Sequence, residues 1–112
     1  PFSNYQLTKT DIDTIISALE LVPLFPCTGP QQTRINTFHS SNVVRKLVIG
    51  DFNFAPDEIR VITLALDCAL SSITGTGYGI DNLPSDLATE LKSHFFVLNN
   101  LYPRFQALCP HI

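Results

Sequence analysis

Met and Trp are missing, and charged residues make up only 15% of the 112 residues, against roughly 25% in an average globular protein. Cysteine occurs three times, as Cys27, Cys68 and Cys109. That is too few, and odd in number, for a disulfide framework, so reduced thiols and a cytoplasmic location are expected. No run approaches the ~18 uninterrupted apolar residues of a membrane-spanning helix. The richest stretch, 59–70, is broken by Arg60 and Asp67. Seven Lys and Arg stand against ten Asp and Glu, for a net charge of -3. The basic residues are scattered, with Arg45–Lys46 the single adjacent pair. Such a distribution offers phosphates no patch, which excludes nucleic acid as the expected partner. The chain begins at Pro1 with no Met, as a processed or trimmed N-terminus would leave it, and no signal peptide is visible.

What is present is apolar. Hydrophobic residues reach 45%, too many for disorder at so low a charge. This length suits one domain, residues 1–112, burying about 65% of the surface its unfolded chain exposes. Strand signals are poor, since no run alternates for long between turns. Helix signals are strong. Thr8 with Asp11, or Thr10 with Asp13, has capping-box spacing, Leu7 and Ile12 fall at the hydrophobic-staple positions if Thr8 is the cap, and Ile12, Ile15, Ile16 and Leu19 form one stripe. A helix is expected over 9–21, stopped by Pro23 and Pro26. A second helix starts either at Pro30, where Ile35 and Phe38 have helical spacing, or near Ser40–Asn42. In both cases Val43, Val44, Leu47 and Val48 form its apolar face, and Gly50 ends it.

Pro56 suits the first position of a third helix over 56–73, with Asp57 and Glu58 complementing its dipole. That helix is apolar on most sides, with a single polar strip of Arg60, Thr63, Asp67 and Ser71. Such a helix lies at the centre of its domain or is shared with a partner. A last helix should begin near Pro84–Ser85, carry Leu87, Leu91, His94 or Phe95, Leu98 and Leu101, and break at Pro103, with a short terminal turn over Arg104–Leu108. The expected fold is all-α, a small bundle of about four main helices around the hydrophobic helix 56–73. Residues 11–20 and 58–67 share an acidic-Ile-x-x-Ile-x-x-Ala-Leu-acidic pattern, but two units are too few for a solenoid.

Signatures of chemistry are sparse. Asp51 and Asn53 open a calcium-loop pattern that fails at Pro56, where Gly is needed, and at Ile62, where Glu is needed. The histidines and cysteines contain no Cys-x-x-Cys and no His-x-x-x-His, so no metal is expected. Gly-x-Ser-x-Gly is missing, and the paired carboxylates sit where helix N-termini favour them. No cofactor and no enzymatic activity are expected. The Gly-rich stretch 74–81 has no lysine nearby and cannot be a P-loop.

The expected function is that of a non-enzymatic protein–protein interaction or inhibitor-type binding protein. Its partner is another protein or a second copy, since low charge leaves a monomer poorly solvated and a homo-oligomer relieves this. Eight Phe in so short a chain are generous for one core. Phe52, Phe54 and Phe96, with Leu64, are therefore the candidate interface anchors. The alternative is a small-molecule binder that wraps a polar or anionic ligand in the Gly75, Thr76, Gly77, Tyr78 and Gly79 loop, with Arg60 or Arg104 as the cation.

Overall fold

A computed structural model describes residues 7–25, 28–75 and 83–109. It is a small all-α bundle of five helices: α1 (Lys9–Leu19), α2 (Pro30–Ile49), α3 (Pro56–Thr74), α4 (Ser85–Ser93) and α5 (Phe95–Leu108), with a 3₁₀ turn at Val22–Leu24 after α1. No strand occurs among the described residues.

The start of α1 follows its local chemistry. The Asp11 N–H donates to Thr8 Oγ1 (3.1 Å), and the Thr8 N–H donates to Asp11 Oδ2 (3.0 Å), which satisfies two amides that a helix start leaves bare. Ile15, Ala18 and Leu19 are buried, while Ile12 and Ile16 pack at the core's edge. The helix ends two residues before the expected Leu21, because the chain tightens there into the 3₁₀ turn.

α2 takes the earlier of its two expected starts. Gly29 is the N-cap and Pro30 the first helical residue, where a missing N–H costs nothing. Its C-terminus closes on Gly50 (φ 79°), whose N–H donates to the Leu47 carbonyl while the Asp51 N–H reaches the Lys46 carbonyl (2.8 Å). An L-residue at that positive φ is strained whatever the space around it. Gly50→Ala is therefore expected to cost about 1–2 kcal/mol, read as a lower midpoint in urea with an unchanged helical signal.

Central placement of α3 follows from its apolar circumference. It packs against all four other helices, and Ile59, Val61, Ile62, Ala65, Leu66 and Ala69 are fully buried. Buried side chains from all five helices form one core. Two of the polar groups turned inward are bonded within their own helix: Thr14 Oγ1 donates to the Thr10 carbonyl (2.7 Å) and Thr63 Oγ1 to the Ile59 carbonyl (2.8 Å).

The C-terminal region departs from expectation. Instead of one helix ending at Pro103 there are two, parted at His94, whose backbone (φ −103°, ψ 16°) leaves the helical region. α5 then runs through Pro103 to Leu108. Pro103 removes the bond to the Asn99 carbonyl. Both residues lie on the exposed side, where losing one helical bond costs less than it would inside the core. The opposite face inserts Leu98, Leu101 and Phe105 into the core, and this packing holds the helix together past the proline.

Candidate functional site

The four expected interface residues do not form one patch. Phe54 is a correction: it is 4% exposed and belongs to the core. Phe52, two residues earlier, is half-buried against that core. Phe96 is 84% exposed on α5. Leu64, between Arg60 and Asp67 of α3, lines a pocket beside α2. Of the expected ligand loop, Gly75 ends α3 in the left-handed conformation (φ 73°). Thr76, Gly77, Tyr78 and Gly79 lie outside the described residues. Arg104 is on α5, where its guanidinium donates to Asn100 Oδ1 (3.0 Å), whereas Arg60 lines the same pocket as Leu64.

Two features stand out instead, and both involve α2. The first is its outer face. α2 turns Asn36, Ser40, Val43 and Leu47 inward and leaves Ile35, Phe38, Val48 and Ile49 in solvent, Phe38 by 63% and Ile49 by 71%. Ile35, Phe38, Asn42, Arg45 and Ile49 follow one another at helical spacings of three and four, so they share one side. Val48, expected on the buried face, stands out instead. α2 carries Arg34, Arg45 and Lys46 but no Asp or Glu. Lys46 is occupied by Glu58 (2.6 Å), which leaves Arg34 and Arg45 as the exposed cations of this helix.

The second feature is a pocket of about 410 Å³ walled by Phe25, Thr28, Gln32 and Asn36 on one side and Arg60, Leu64, Asp67 and Cys68 of α3 on the other. Asn36 is 3% exposed. Among the described residues its side-chain amide makes one hydrogen bond, to the Gln32 amide (3.0 Å). An amide can make about four. Arg60 pairs with Asp57 at 3.8 Å, on a carboxylate that is 66% exposed, which makes it a weak partner. Burial pushes the Cys68 thiol above its ordinary value, a hydrogen bond with Ser72 opposes this, and the charge of Asp67 adds to it. The thiol therefore stays protonated at neutral pH, unlike the thiolate of a nucleophilic cysteine.

A broader groove of about 680 Å³ runs over α1, α2 and α4, rimmed by Asp13, Glu20 and Glu90. Ser17 Oγ bridges its floor to Glu90 Oε1 (2.5 Å). Among the described residues, no group of three or more His, Cys, Asp and Glu is gathered as metal ligands would be. No described helix is long and apolar enough to cross a membrane. Neither a known protein family, nor a curated protein, nor a solved structure matches this chain.

Proposed function

We propose that this is a non-enzymatic protein-binding domain that docks through the outer face of α2 onto an acidic, apolar surface of another protein. The observation that carries this reading is the coincidence of four exposed large apolar side chains with exposed Arg and no acid on one helix. Apolar anchors of this size, rimmed by polar groups, mark interaction sites. The charge selects the partner. Two copies paired through this face would bring their Arg34 and Arg45 side chains together, and like charges across an interface are unfavourable. An acidic amphipathic segment answers both the apolar stripe and the two cations. This replaces the expected self-association with a heterotypic contact.

The test titrates the chain into a labelled amphipathic peptide of Leu, Ala and Glu, with a Lys-for-Glu peptide as control, read by fluorescence anisotropy. The acidic peptide is expected to bind, and to bind less tightly as salt rises. Phe38→Asp and Arg45→Glu are each expected to weaken it at least about tenfold, in the range of interface anchors. Neither residue is in the core, so stability is expected to stay within about 0.5 kcal/mol. Equal affinity for both peptides would sink the proposal. So would a dimer in sedimentation that Phe38→Asp dissolves, because the face would then serve a second copy.

A further inference from the structure

We propose that the pocket between α2 and α3 binds a small zwitterion with an apolar body, of the short-peptide class, with its carboxylate at Arg60 and its ammonium at Asp67. Its volume of about 410 Å³ lies within the usual range of ligand pockets, about 300–1,000 Å³. Arg60, Leu64 and Asp67 stand four and three residues apart on one face of α3. The cation and the carboxylate are thus two turns apart, roughly 10 Å along the axis, with Leu64 between them and Phe25 across the pocket. Their charges cancel over the pocket as a whole, so a simple anion or a simple cation would meet one repelling end. A dipolar molecule meets two attracting ends and an apolar middle.

Neither charge is committed elsewhere among the described residues. Among the described residues Arg60 has its long contact with the exposed Asp57, and no described Lys, Arg or His nitrogen lies within salt-bridge distance of Asp67. Independent of the charges is Asn36, nearly fully buried yet bonded only to Gln32. A buried amide lacking partners is unfavourable for folding. At the wall of a pocket it is what the backbone of a short peptide would complete, donating to a carbonyl and accepting from an N–H.

The experiment is calorimetric titration of the full chain with leucyl-leucine, N-acetyl-leucine and leucinamide. Leucyl-leucine is expected to bind, and the two singly charged compounds at least about tenfold more weakly, the loss of one charge-assisted contact. Arg60→Gln is expected to remove the preference over leucinamide, and Asp67→Asn the preference over N-acetyl-leucine. Asn36→Leu keeps the branched shape, puts a somewhat larger apolar group where the underbonded amide stood at the pocket wall, and is expected to abolish binding while raising the melting temperature. That opposite movement separates a ligand-binding amide from a merely structural one. Phe38→Asp is expected to leave dipeptide affinity unchanged, so this site and the docking face stand or fall separately. No heat with leucyl-leucine at millimolar concentration, or equal affinity for all three compounds, would overturn the proposal.

Discussion

Phe54→Ala is expected to destabilise the fold by about 3–5 kcal/mol, the cost of removing a buried aromatic ring, while Phe96→Ala changes stability by less than about 0.5 kcal/mol. The contrast rests on exposure alone, 4% against 84%. A domain of this size has roughly 5–15 kcal/mol in all, so Phe54→Ala removes about a fifth or more and lowers the melting temperature by about 10 °C or more. Phe105→Ala is expected to match it, because that ring is 1% exposed and anchors α5 beyond Pro103. Urea denaturation followed by far-UV circular dichroism reads all three variants. A Phe54→Ala protein that melts like the parent would place this ring outside the core.

Those rings also mark where the sequence stops being informative. In Phe52-Asn-Phe54 both rings lie in a short connection without a helical period, so nothing local says which turns inward. The position of α3 below the connection decides it, and that is a tertiary fact. α1 was legible to within one turn of its start, because both Thr8–Asp11 and Thr10–Asp13 have the spacing of a cap, and the structure uses Thr8. The apolar circumference of α3 left two readings, central in its domain or shared with a partner, and its packing against all four other helices gives the first. Pro103 misled because its effect depends on which side of the helix loses an N–H. The sequence cannot show that Pro103 and Asn99 face solvent.

The binding features were legible in fragments. Arg60 and Leu64 were singled out for different reasons, one as a ligand cation and the other as an interface anchor, and the fold sets both on one pocket wall. Asn36 and Gln32 carried no signal, since a polar residue in a helix reads as solvent-facing until a second helix is laid against it. The same deception shaped α2. Its buried stripe opens with Asn36 and Ser40, while Ile35 and Phe38 beside it look like the inward face. A helix with polar groups turned in and large apolar groups turned out breaks the usual agreement between pattern and burial, and such breaks tend to fall at functional sites.

Lys46→Met is expected to cost about 2–3 kcal/mol, somewhat below the ~3–5 kcal/mol for breaking a fully buried ion pair. Lys46 Nζ donates to Glu58 Oε1 at 2.6 Å and to the Asn53 carbonyl at 3.0 Å. The Glu58 side chain is 6% exposed and that of Lys46 21%, so the carboxylate suffers most when the ammonium leaves. Among the described residues it then retains the Ala55 N–H (2.7 Å), which ties it to the start of α3. Glu58→Leu alone loses both the cap and the pair, and leaves Lys46 able to swing into water. Lys46→Met with Glu58→Leu removes the stranded charge, and is expected to cost less than the sum of the single changes by about 1–3 kcal/mol, as groups in one ion-pair network do. A double-mutant cycle in urea measures this difference. Additive costs would reduce the pair to an ordinary surface contact. A large coupling would show that Lys46 and Glu58 act as one unit, tying α2 to the start of α3.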